Sequence, residues 1–197
     1  MNFLAHLALA GPSDASLLGN IMADFAKGTR EHLFDEFPKE VVEGMLMHRS
    51  IDKFTDAHPI FKEASALMET KRRRFAGIVI DIFFDHYLSI HWSKFYSTDL
   101  EEFIEQSYQT LAKQSQVHSE LFALVLPHMR RENWLGCYGT KDGIKLTLNR
   151  VSQRSKYTAI IADCYQDFED NYSEFEAIFL RIYPDLIEYA KGLAPKR

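Results

Sequence analysis

The sequence of 197 residues contains only two cysteines, Cys137 and Cys164, and no C-x-x-C pair. A disulfide framework and a cysteine-ligated zinc site are excluded as organising devices, and two ordinary thiols fit a reducing compartment. Glycine and proline never gather into a linker, and there is no internal repeat or low-complexity tract, so a single domain is expected over residues 1–197. No apolar run approaches the ~20 residues of a membrane span. Met1–Gly11 is mildly apolar but lacks the basic start of a secretory leader. Positive charge is not in excess either. A formal net charge of −5 argues against nucleic-acid binding through bulk charge. The expectation is a cytoplasmic protein with no nucleic-acid or membrane partner.

Several catalytic signatures are missing as well. There is no G-x-S-x-G elbow, no Walker loop, no G-x-G-x-x-G and no H-E-x-x-H helix. The absence of any Glu-x-x-His weakens a ferritin-like di-iron reading.

What is present is helical. Strand-like alternation is scarce and helical periodicity is common. Aromatic residues make up 13% of the chain, mostly Phe and Tyr, enough for a dense core without covalent staples. Residues 2–10 read as a short helix stopped by Gly11-Pro12. Ser13 or Asp14 caps a second helix running to about Lys27 and ending at Gly28. A third begins near Pro38, and Pro59 opens another. Arg73 to Phe95 reads as one long buried helix, and residues 99–113 as an amphipathic one. After a looser stretch around Gly136–Gly143, Asp142 is placed to cap a helix carrying Leu146, Asn149 and Arg150. A last helical region is expected over about 155–191, interrupted near Pro184. The fold class is all-α, a single-domain helical bundle.

The acids and histidines are concentrated in the first half, several within apolar sequence. Residues four apart share a helix face, which pairs Asn20 with Asp24, His48 with Asp52 and Asp56, and Asp81 with Asp85. Asp81 is the sharpest case, lying among Ile78, Val79, Ile80, Ile82, Phe83 and Phe84. A carboxylate buried without a partner costs several kcal/mol. A divalent cation would gather such groups and stabilise their charged forms. His with carboxylate ligands suits Mn²⁺, Fe²⁺, Zn²⁺ or Mg²⁺. Taken singly, each residue is more often capped, surface-facing or hydrogen-bonded, as a lone His6 on an apolar helix would be. Lys71-Arg72-Arg73-Arg74 is the one concentrated basic run. It is either a solvated helix start or a docking surface for an acidic partner.

In these residues the chain resembles the acyl carrier protein phosphodiesterase family, described as distant relatives of the HD-type metal phosphohydrolases. The matching blocks are Met1-Asn2-Phe3-Leu4-Ala5-His6-Leu7, Gly19-Asn20 with Ala23-Asp24-Phe25, and Met47-His48-Arg49 with Ile51-Asp52 and Thr55-Asp56. They continue through Asp81, Asp85-His86, Leu88 and His91-Trp92-Ser93, and more weakly through Trp134-Leu135, Leu148-Asn149 and Tyr183-Pro184. The adjacent His-Asp doublet that names the HD group is absent, and only the reversed Asp85-His86 occurs.

The resemblance implies an HD-phosphohydrolase-like bundle. It implies hydrolysis of holo acyl carrier protein to the apo protein and 4′-phosphopantetheine, with Mn²⁺ as cofactor and Mg²⁺ as substitute. On that basis Asp24, His48, Asp52 and Asp81 are the expected metal ligands. Asp85, His86 and His6 are the expected acid–base groups and Arg49 the expected phosphate binder. Arg72, Arg73 and Arg74 are the expected contact with the carrier protein. Two alternatives remain open on sequence: a related phosphohydrolase acting on a nucleotide or small phosphoester, and a non-enzymatic helical adaptor for an acidic partner.

Overall fold

The computed structural model describes residues 1–193; residues 194–197, at the end of the expected domain, lie outside the described residues. Among the described residues there are thirteen α-helices and no strand. They are α1 (Phe3–Leu9), α2 (Asp14–Met22), α3 (Arg30–Glu36), α4 (Lys39–Ala57), α5 (Pro59–Leu67), α6 (Ala76–Ile90) and α7 (Trp92–Phe95). The chain continues with α8 (Leu100–Lys113), α9 (Glu120–Arg131), α10 (Trp134–Cys137), α11 (Lys141–Ser152), α12 (Cys164–Asp170) and α13 (Tyr172–Leu193). No described helix is long and apolar enough to cross a membrane.

α6 is the axis of the bundle. Val79, Ile80, Phe83, Phe84, Tyr87 and Leu88 are fully buried, so the helix is apolar over most of its circumference, as a central element must be. α1, α11 and α13 pack around it. Against its inner side stands an aromatic cluster: Phe83 meets Phe168 at 4.8 Å between ring centroids and Phe175 at 5.1 Å. Phe179 stacks on Tyr183 at 5.0 Å. Such pairs add edge and offset-stacking attraction to the area they bury.

α2 and α4 form the tightest pair, because two glycines face each other. A Cβ on Gly19 would lie 2.1 Å from the Val41 carbonyl oxygen, and one on Gly44 would lie 2.7 Å from that of Ser16. This close approach sets α2 against the middle of α4, where His48 and Asp52 project.

The boundaries differ from the sequence reading in instructive places. α2 stops at Met22 because Phe25 and Ala26 both donate backbone hydrogen bonds to the Met22 carbonyl, closing a tight turn. Asp24 is thereby carried off the helix. α3 and α9 are additional helices, each opened by a hydroxyl cap, Thr29 and Ser119. α11 is capped by Thr140, whose Oγ1 accepts from Gly143 N at 3.0 Å, rather than by Asp142. The 73–95 segment is split at His91 into α6 and α7 after a 3₁₀ turn at Arg73–Phe75. The last region resolves into α12 and α13, and Pro184 sits inside an unbroken α13. Burial of Ile182, Tyr183 and Leu186 on both sides holds the helix through the one missing N–H.

Candidate active site

α1 delivers a histidine to the middle of the bundle because a buried carboxylate holds its first turn. The backbone N–H groups of Asn2, Leu4 and Ala5 donate to Asp85 at 3.3, 2.7 and 3.3 Å. These are donors that a helix start leaves unsatisfied. Asp85 is fully buried on α6 and serves as an internal cap for α1. Burial raises its carboxyl to about 7, against the opposing pull of the Leu4 N–H and the Met1 ammonium.

One turn on, His6 is fully buried and its ring stacks on His48 of α4, with centroids 3.6 Å apart and planes inclined by 14°. Both rings turn Nε2 toward Asp52, His6 at 2.9 Å from Oδ1 and His48 at 3.1 Å from Oδ2. His48 Nδ1 is 2.6 Å from the Asn20 carbonyl of α2. That contact orients the ring with Nε2 toward the carboxylate, as a backbone carbonyl orients a metal-binding imidazole from behind. His6 is held neutral: burial and the neighbouring His48 push its pKa down to about 3. Its Nδ1 is buried without a hydrogen-bond partner. Burial alone would raise Asp52. The hydrogen bonds from His48 and His6, with the nearby ammonium, overcome that and hold it well below the usual carboxylate range.

Two further acids flank this trio. Asp24, at the turn after α2, lies 3.7 Å from His48 Nε2. Its carboxyl is raised by the protein packed around it, with His48 opposing. Asp81 on α6 contacts the Met1 amino group at 2.8 Å, and the same ammonium is 3.3 Å from Asp52. Burial pushes Asp81 up to about 6 despite that ammonium.

Asp24, His48, Asp52 and Asp81 open onto one cavity of about 470 Å³, with His6 directly behind His48. The apolar lining comes from Phe3, Phe25, Ile82 and Trp134. Phe3 stacks on Phe25 at 5.9 Å and on Trp134 at 6.3 Å. Asn2 and Tyr138, joined by a 2.9 Å hydrogen bond, also face it, with Lys27, Arg150 and Arg154.

The donor set of His6, His48 and Asp52 lies within 4.8 Å of one another. Two imidazoles, one of them oriented from behind by a backbone carbonyl, and an ionised carboxylate fit a divalent transition metal, with Asp24 and Asp81 at its edges.

Six of the expected site residues lie away from this cavity. Asp85 is occupied as the cap of α1 and does not reach the cavity. His86 faces away: its Nδ1 is 2.7 Å from the Tyr138 carbonyl and its Nε2 2.9 Å from the Tyr172 hydroxyl, so both ring nitrogens are satisfied in the core. Arg49 lies outside the cavity, its guanidinium 3.5 Å from the Gly28 carbonyl. Arg72 is buried and paired bidentately with Asp167, both contacts at 2.7 Å. Of the remaining run, Arg73 ties down the carbonyls of Met68 and Ala66 at the end of α5, and Arg74 lies over Phe75. Arg73 and Arg74 remain exposed, so the run presents two of its three arginines to solvent.

Residues the sequence reading did not place at the site are Asn2, Trp134, Tyr138 and Arg154. Arg150, seen there only as part of a helix face, also belongs. The signal was present in the spacing: Thr147 and Arg150 share a face of α11, and Arg154 follows four residues on, just past its end.

Comparison with known proteins gives a consistent result. Residues 1–186 match the family model described as acyl carrier protein phosphodiesterase. Among the similar curated proteins is the acyl carrier protein phosphodiesterase of Photorhabdus laumondii, 37% identical over 193 residues, covering 98% of this chain and 96% of the relative. Those of Pectobacterium atrosepticum (35%, covering 97% and 98%) and Escherichia coli (36%, covering 98% and 100%) bear the same name. No solved structure matches.

Proposed function

The chain belongs to the acyl carrier protein phosphodiesterase family, and from that premise we propose that it hydrolyses the phosphodiester joining 4′-phosphopantetheine to a serine of holo acyl carrier protein. Water adds to phosphorus, the bond to the serine Oγ breaks, and the products are the apo protein and free 4′-phosphopantetheine. The observation that carries the reading is the stacked His6–His48 pair converging on Asp52 at the cavity, in a chain that matches the family along most of its length.

His6, His48 and Asp52 would hold a divalent ion, with Asp24 and Asp81 completing the carboxylate side. Manganese is the proposed metal and magnesium its substitute. Such an ion supplies Lewis acidity, which lowers the pKa of water and polarises a phosphoryl oxygen. The protein's own part is positional. Asn20 orients the His48 ring, and Asp85 fixes α1 and therefore His6. Asp81, held 2.8 Å from the Met1 ammonium, presents its carboxylate at the edge of this donor set. The apolar walls of Phe3, Phe25 and Trp134 suit the pantetheine arm and exclude bulk water. Two unpaired thiols, Cys137 and Cys164, support a cytoplasmic setting.

The test is incubation of holo acyl carrier protein with the enzyme and Mn²⁺, followed by intact-mass measurement. Conversion to the apo mass supports the reading. An unchanged carrier beside hydrolysis of a nucleotide would overturn the substrate assignment.

A further inference from the structure

With Arg72 paired to Asp167 and Arg49 outside this cavity, the cavity has its own cations, two of them at α11 and one in the segment after α2 that also carries Asp24. Arg150 on α11, Arg154 just past its end and Lys27 after α2 all line it. Arg150 is held in place. It donates to Glu132 at 2.8 Å and lies 5.7 Å from the Trp134 ring, while Trp134 Nε1 donates to the same Glu132 at 3.0 Å. Arg154 and Lys27 are exposed, and among the described residues neither has a carboxylate partner in an ion pair.

We propose that Arg150, Arg154 and Lys27 form an anion clamp that receives the phosphate of the substrate and retains the phosphomonoester product. The proposal rests on the phosphodiesterase reading. A phosphodiester carries one negative charge. Hydrolysis turns it into a monoester whose second proton leaves with a pKa near ~6, so the product carries about two charges at neutral pH. A wall of three cations attracts the product more than the substrate. The other product regains a neutral serine hydroxyl and has no such attraction. Apo carrier protein therefore leaves first. Free 4′-phosphopantetheine leaves last and competes with fresh holo carrier. An arginine of this kind offers paired N–H donors matched to phosphate oxygens, which a lysine does not.

The experiment measures binding of 4′-phosphopantetheine and of pantetheine, which lacks the phosphate, to the full chain by calorimetry. Both compounds are also tested as inhibitors of holo-carrier hydrolysis. The wild type should bind the phosphorylated compound at least about ten-fold more tightly. Arg154→Ala should erase most of that preference, weakening 4′-phosphopantetheine by about ten-fold while leaving pantetheine unchanged. Arg154→Lys should recover part of it, and Arg74→Ala should match the wild type. Equal affinity for the two compounds, or an Arg154→Ala protein with unaltered preference, overturns the clamp. Hydrolysis that persists beside that result leaves the phosphodiesterase reading standing. An Arg154-dependent preference in a protein that never cleaves holo carrier supports the clamp and overturns the reading instead.

Discussion

His6 and His48 stack face to face at 3.6 Å and turn the same ring nitrogen to the two oxygens of one carboxylate, Asp52. Two helices from different parts of the chain thus supply three donor atoms to one point. Removing any of the three should abolish tight divalent binding. Asp52→Asn is expected to keep the wild-type far-UV spectrum yet bind Mn²⁺ at least ~100-fold more weakly, by calorimetry, with parallel loss of holo-carrier hydrolysis. Wild-type metal affinity in that variant would remove Asp52 from the ligand set.

Asp85 makes a prediction about stability and pH. Asp85→Ala leaves three N–H groups of the α1 start without an acceptor and should cost about 3 kcal/mol or more in urea unfolding. The folded carboxyl is raised to about 7 against ~3.9 in the unfolded chain, so the folded form holds its proton more tightly. Its contribution is complete below about pH 4 and is lost as pH rises through about 7. The wild type should therefore lose stability relative to Asp85→Asn across that window. A difference that stays flat would contradict the raised value.

The Arg72–Asp167 pair separates structure from recognition. Arg72→Ala strands a buried carboxylate and is expected to destabilise the fold by ~3–5 kcal/mol. Arg74→Glu, on the surface, should alter neither stability nor the salt dependence of KM. A large KM change in Arg74→Glu would restore the run as a docking surface.

His86 carries a similar prediction. Its ring bridges the Tyr138 carbonyl and the Tyr172 hydroxyl, so His86→Ala should lower Tm while leaving the pH profile of kcat unchanged in the folded fraction. A displaced pH profile would mean that the imidazole takes part in proton transfer.

Gly19 couples packing to the site. A methyl group there would press 2.1 Å from the Val41 carbonyl oxygen and force α2 off α4. Since Asn20 on α2 orients His48 on α4, Gly19→Ala should reduce both Tm and Mn²⁺ affinity. Lowered stability with intact metal affinity would show that the two helices move without disturbing His48.

The sequence by itself determined the helical class, through apolar periodicity. It also determined the pairing of His48 with Asp52, because four residues is one helical turn and fixes a shared face. The family was legible from the N-terminal blocks. Only the tertiary structure decided which faces look at one another. Asp81 and Asp85 occupy the same face of α6, yet one opens on the cavity and the other caps α1, because α1 docks one turn further along. Arg72, Arg73 and Arg74 are indistinguishable as a run, and the Asp167 carboxylate on α12 selects the one that turns inward. Spacing along a helix fixes direction around its own axis, whereas the rotation and depth of each helix against its neighbours are set by contacts such as Gly19 on Gly44 that no local pattern encodes.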